Sequence, residues 1–297
     1  MTEPAARRVA RGVLRARRLL AAGAATLAAL AVTVPVTARA WGTVGHEKIA
    51  AAVPGLLPPD AAPLAALAPL LARDAMDADR REGDPGFPEE RYRHDFQLDA
   101  YRWPDAALVP ARREVWDRRY GVRTVRDRGL LPWTIVDTRA RLVDALRAHD
   151  SLRAARLWAD LCHCLGDAAA PLHTTTLGAR RPRTRERIED QLLARYREHL
   201  TIPPASQAAL RPLADPFQES LKLLRDSHAA AKTVMAAERD ADQEGVGQPG
   251  YYARLWHELK PVIEQRLGAA AEAGARFGYS AWIEAGRPPL PPVAAAR

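Results

Sequence analysis

Two cysteines among 297 residues are too few for a disulfide scaffold. Cys162 and Cys164 stand two apart in a segment that reads as helix, so their side chains diverge and suit small buried hydrophobes. No stretch alternates apolar and polar residues over a strand's length, which leaves an all-α fold. No fixed period repeats and no linker interrupts residues 41–297. That length therefore predicts a single multi-helix domain, with a loose Pro-rich tail from about Arg287. A membrane-spanning run is missing as well, because the apolar segment from Leu19 to Val34 is too short for a bilayer.

The flanks of that segment explain it. Arg7, Arg8, Arg11, Arg15, Arg17 and Arg18 come before it and Ala38-Arg39-Ala40 after it, the order of a secretory signal peptide over residues 1–40. Cleavage after Ala40 makes residues 41–297 a periplasmic or secreted protein. Arg17-Arg18 leaves the twin-arginine and general export routes both open. Seven arginines and one glutamate lie within residues 1–40, so cleavage lowers the net charge from +8 to near +2. The pI of about 9.9 is therefore no argument for nucleic-acid binding.

The stretch from Leu161 to His173, Leu-Cys-His-Cys-Leu-Gly-Asp-Ala-Ala-Ala-Pro-Leu-His, holds three metal-ligand side chains: His163, Asp167 and His173. Apolar residues from Leu152 through Trp158 to Leu161 recur at three- and four-residue steps, which predicts a buried helix that His163 and Asp167 continue. Four apart, those two share a face. They stand close enough for one cation, or for two bridged by the carboxylate. An ionised Asp inside an apolar helix is costly without a cation or donor beside it. Gly166 leaves room next to the pair, and Pro171 ends the helix so that His173 turns toward a different metal.

At the expected mature terminus the chain reads Trp41-Gly-Thr-Val-Gly-His46-Glu-Lys-Ile-Ala. Together with the His-x3-Asp-x5-His of residues 163–173, this resembles the secreted zinc-dependent nucleases and phospholipases C. The resemblance implies a helical domain around a polynuclear zinc cleft. It assigns Asp79, His94, His163 and Asp167 to one zinc. The amino group and carbonyl of Trp41, with His46 and Asp167, hold a second, so Asp167 bridges. Asp79 and His94 match the family's fifteen-residue separation, with Asp77 as the alternative. The free amine exists only after signal cleavage, so an uncleaved precursor lacks that site. The five-residue step from Trp41 to His46 resembles the nuclease branch. Asp95, directly after His94 where the nucleases carry a base-contacting aromatic, departs from it.

The resemblance also implies a third zinc, held by His173 with a further His and an acid four residues beyond it. Glu189 matches the acid, but Arg185 stands where that His belongs, and a guanidinium binds no cation. Two zincs are expected, with the third site weakened or empty. His199, His228 and His257 are the remaining candidates to fill it. Arg185 has two readings: a positive charge gripping the substrate phosphate in place of the zinc, or a helix-surface partner of Glu189.

Helical spacing further predicts helices over 61–71, 106–119, 133–147, 217–224, 251–266 and 269–277, with a polar loop over 82–90. Gly129-Leu-Leu-Pro-Trp133 resembles a Gly-Val-(Ile/Leu)-Pro-Trp segment of the family's bacterial members, which implies packing near the cleft. His149 is expected to cap the helix before it. The whole predicts a monomeric, secreted, zinc-dependent phosphodiesterase with no stable protein partner, in which Asp167 sets two zincs around a shared hydroxide that attacks phosphorus. The N/O ligands suit zinc without excluding manganese. The expected substrate is single-stranded nucleic acid. A phospholipase C acting on phospholipid head groups is the competing enzyme, and a secreted metal-binding protein without turnover is the third reading.

Overall fold

The computed structural model describes residues 41–102, 109–203 and 210–291. The expected signal peptide, residues 1–40, lies outside the described residues, as does the end of the tail. Among the described residues there are helices and no strand. None of these helices is long and apolar enough to cross a membrane. Those that build the site and its surroundings are α1 (Gly42–Ala52), α2 (Ala68–Arg73), α3 (Asp77–Arg81), α4 (Arg113–Tyr120), α5 (Leu131–Arg147), α6 (Ser151–Ala169), α7 (Pro216–Ala241) and α8 (Pro249–Glu284).

Helix α6 runs through the centre of the domain and packs on α1, α2, α5, α7 and α8. From Leu161 to Ala169 every residue is buried, so this half has no solvent face and its small residues let neighbours approach. Trp158 shows how close that approach is. Its indole donates to the carbonyl of Gly274 at 3.0 Å, and a methyl on Gly278 would lie 2.3 Å from its Nε1. The other end of α6 is set by its entry. Asp150 accepts the N–H of Arg153 at 3.0 Å as N-cap.

The hairpin between α5 and α6 is a backbone device. The N–H of His149 donates to Leu146 and that of Asp150 to Ala145, both at 3.0 Å, with His149 in the left-handed region at φ 56°. This is the hydrogen-bond pattern that usually takes glycine. His149 thus ends the helix through its main chain rather than by a charge at the helix terminus.

Three expectations change. The helix over 61–71 is broken into Ala62–Ala65 and α2, because Pro63 and Pro69 each sit in the first turn of a new helix, where their missing N–H is harmless. The segments 251–266 and 269–277 are one helix, α8, which carries Pro261 in its interior. The tail from Arg287 is held as far as 291: Trp282 donates to the carbonyl of Pro288 at 3.0 Å and Leu290 is buried. Of the expected helix over 106–119, Arg113–Tyr120 is helical and residues 106–108 lie outside the described residues.

Candidate metal centre

Four elements bring their polar side chains to one face of α6. His163 and Asp167 stand a turn apart on α6, α1 supplies His46, α3 supplies Asp79, and the segment after Tyr92 supplies His94. The buried donors form two groups, His46 with His163 and Asp167, and Asp79 with His94 and His163. Both could hold a metal ion.

The separations test that fit. Donors about 2.0–2.1 Å from a zinc ion at tetrahedral corners stand about 3.3–3.4 Å from one another. His163 Nε2 lies 3.3 Å from His94 Nδ1, 3.4 Å from Asp79 Oδ1 and 3.5 Å from Asp167 Oδ2. His94 Nδ1 lies 3.7 Å from Asp79 Oδ1 and 2.9 Å from Asp167 Oδ2. The first four are near the edges that a ligand shell around one cation would have, and the last is a hydrogen bond. On the other side of the same carboxylate, His46 Nε2 lies 3.4 Å from Asp167 Oδ1. Nε2 of His46 and Oδ1 of Asp167 are buried without a hydrogen bond. A cation between them would satisfy both atoms.

Supporting contacts fix the ligands. Nδ1 of His163 lies 2.7 Å from the carbonyl of Ala75 and donates to it, so Nε2 presents its lone pair to the cluster. The ring of His46 stacks on that of His163, centres 4.0 Å apart and planes within 9°. It also lies against Gly166, where a methyl would come within 2.8 Å of Cε1, so the room read from Gly166 is used by His46. Trp41 is buried beside the same residue, its indole donating to the Gly166 carbonyl at 2.9 Å.

The charges are arranged around Asp167. Against the upward push of burial, His163, His46 and His94 hold its carboxyl well below the usual range. Asp79 is likewise brought down to about 2, burial being outweighed by His163 and His94. Burial lowers His163, but Asp167 and Asp79 more than reverse this and raise it to about 10. His46 is lowered by burial and by His163. Without a cation the cluster thus holds protons on His163, and a metal would displace them.

His173 belongs to a second constellation. Pro171 opens the short turn Pro171–Thr174 just after α6, and His173 points away from the first cluster. Its Nδ1 lies 2.7 Å from the carbonyl of His94 and 2.9 Å from Asp95 Oδ1. Its Nε2 lies 3.4 Å from Glu189 Oε2 and in close contact with the guanidinium of Arg185. Arg185 also reaches Asp95 Oδ1 at 3.3 Å and Glu189 Oε2 at 3.6 Å. The expected pairing of Arg185 with Glu189 is thus present, but both residues are buried and not on the helix surface. Both lie where a helix from Pro182 opens into a wide π turn, Glu186–Leu192, which brings Glu189 against the first residues of α1. A methyl on Gly42 would meet Asp190 Oδ1 at 2.6 Å and the Glu189 carbonyl at 3.0 Å.

Other expected residues stay apart. Asp77 pairs with Arg80 at the surface. His199 and His257 are exposed, and His228 donates to the Thr174 carbonyl at 3.0 Å. Cys162 and Cys164 are buried free thiols whose ionisation burial pushes well up, in keeping with a packing role. Sequence reasoning missed Asp95 as a partner of His173 and Arg185. A signal was present in Gly129: at φ 105° it lets the backbone carbonyl of Asp95 approach to 1.9 Å from where a methyl would stand. The Gly129–Trp133 segment does pack beside the site. No protein-family description and no curated protein sequence matches this chain.

Proposed function

We propose that residues 41–297 form a secreted zinc-dependent phosphodiesterase of the nuclease type, cutting P–O bonds in single-stranded nucleic acid. The observation that carries the reading is the two-sided use of Asp167, with Oδ1 toward His46 and Oδ2 toward His94 and His163. A carboxylate turned both ways is what two neighbouring cations require. Paired cations suit a phosphodiester, whose attacking and leaving oxygens both need charge neutralised. Bound zinc supplies that charge and lowers the pKa of a nearby water.

The chain's own part is to hold the donors rigid and dry. His163 and Asp167 are fixed on a fully buried half-helix, and the Ala75 carbonyl sets the tautomer of His163. Arg185 adds a fixed positive charge on the His173 side, within electrostatic reach of Asp167 but answered locally by Asp95 and Glu189. Unchanged turnover in Arg185→Ala would remove it from the reaction.

Cleavage before Trp41 would free the amine of this buried residue as a further donor.

The test is hydrolysis of single-stranded DNA and of phosphatidylcholine by the exported chain, with zinc, with chelator, and in Asp167→Asn. DNA cleavage that needs zinc and disappears in the variant is expected. Cleavage of phosphatidylcholine alone would favour the phospholipase, and bound metal with neither activity would leave a metal-binding protein.

A further inference from the structure

A cleft of about 390 Å³ opens along the first half of α6, lined by five arginines, among them Arg141, Arg153 and Arg156, by the acids Asp150 and Asp160, and by the exposed Phe87 and Leu152. Its charges are unequally used. Arg81 is paired with Asp160 at 3.0 Å and with Glu90 at 3.3 Å, and Arg93 with Glu90 at 3.4 Å. Arg141, Arg153 and Arg156 are exposed, and their guanidinium groups have no hydrogen bond or ion pair among the described residues. Phe87 is 45% exposed, with Arg81 at 5.6 Å from its ring centre. Unpaired guanidinium groups beside an open aromatic face are a poor use of surface unless something anionic and flat sits there.

The cleft is tied to the metal cluster. Glu90, buried between Arg81 and Arg93, comes within 3.9 Å of His94 Nε2. Arg153 and Arg156 precede His163 on the same helix by ten and seven residues, about 15 and 10 Å along its axis.

We propose that this cleft binds single-stranded nucleic acid, with successive phosphates on Arg141, Arg153 and Arg156 and one base stacked on Phe87. A lipid head group brings one phosphate and an apolar tail. Three free cations spread over two helices match a chain of phosphates instead, and a ring beside them matches a base. The inference deepens the nuclease reading, and rests on it for where the strand would be cut.

The experiment is fluorescence anisotropy of a labelled phosphorothioate oligothymidylate with the zinc-loaded protein over a range of salt. The variant Arg141→Ser/Arg153→Ser/Arg156→Ser should weaken binding at least tenfold and flatten the log–log salt slope by about two, at about 0.7 for each lost phosphate contact. Phe87→Ala should weaken it about tenfold and Phe87→Tyr should restore it. An unchanged affinity and slope in the triple variant overturns the proposal, and so does loss of binding to phosphatidylserine vesicles with oligonucleotide binding intact. Should the triple variant unfold by circular dichroism, Arg141→Ser and Arg156→Ser are read singly against the same criteria. Cleft-dependent binding in a wild type that hydrolyses no bis(nitrophenyl) phosphate would sink the phosphodiesterase reading and keep the site. Hydrolysis without cleft-dependent binding would do the reverse.

Discussion

The guanidinium of Arg185 rests on Nε2 of His173, the ring nitrogen left as acceptor once Nδ1 donates to the His94 carbonyl. The lone pair that could have faced a cation faces an internal one. Asp95, held well below the carboxylate range by Arg185 despite burial, and Glu189 complete the group. Elemental analysis of the purified chain should therefore find two metals, and still two in His173→Ala. Arg185→His, which exchanges the plug for a donor beside His173 and Glu189, should raise the count to three. Loss of a metal in His173→Ala would show that His173 is a ligand in the native protein.

Gly166→Ala should act on one metal only. The added methyl meets Cε1 and Nδ1 of His46 at 2.8 and 2.9 Å, while Asp79, His94 and His163 are not among its nearest contacts. Displacing His46 should weaken the second cation about 10–100-fold, the loss typical when a ligand's support is disturbed. Overpacking should add a stability cost of about 1–3 kcal/mol. Chelator-competition titration should then show one tight and one weak zinc, and two unchanged affinities would place His46 outside the metal shell.

Stability of the metal-free protein should fall on both sides of a plateau. His163, raised from 6.5 to about 10 because Asp167 and Asp79 outweigh burial, stabilises the fold fully below 6.5 and ceases to as pH rises through about 10. Asp79, lowered from 3.8 to about 2, contributes fully above 3.8 and loses that as pH falls through about 2. Melting temperature in chelator should be highest between about pH 4 and 6.5. Zinc competes with the protons on His163, so the rise in melting temperature that it confers should grow with pH. A chelator-treated protein that becomes more stable from pH 6.5 to 9 would contradict these assignments.

His149→Gly should stabilise the chain. His149 occupies a left-handed position that costs an ordinary residue about 1–2 kcal/mol, and its backbone bonds to Leu146 and Ala145 by way of Asp150 remain in the variant. Glycine's extra freedom when unfolded returns part of that, about 0.5–1 kcal/mol. A gain of several tenths of a kcal/mol in urea denaturation is expected, and a loss would mean that the 3.5 Å contact of the ring with the Pro289 carbonyl matters more than the backbone.

The parts of the site that were legible are those set by local spacing. His163 and Asp167 meet because four residues make one turn, and His173 turns away because Pro171 stops α6. Asp79 over Asp77 came from a family spacing, and burial of Asp79 agrees with it. What escaped was long-range. The carbonyl of Ala75 orients His163 across 88 residues, and Asp95 finds Arg185 only because Gly129 admits its backbone. The held tail escaped as well, although its partners are close in sequence, since no local pattern announces that the Trp282 indole will donate to the Pro288 carbonyl. Main-chain acceptors and close approaches leave no periodic trace in a sequence.

The π turn at Glu186–Leu192 makes chain length a variable of the site. A wide turn carries one residue more than an α-helix needs for the same advance. Losing a single codon inside it would close the turn into α-helix with Pro182–Arg185 and Leu193–Arg195 kept in register, so the residue re-aimed is Glu189, inside the turn. Glu189 would leave His173 and Arg185 although no side chain of the group had been altered. A deletion, and not only a substitution, can therefore take this constellation apart, so reading frame and register are as much a part of it as its four residues.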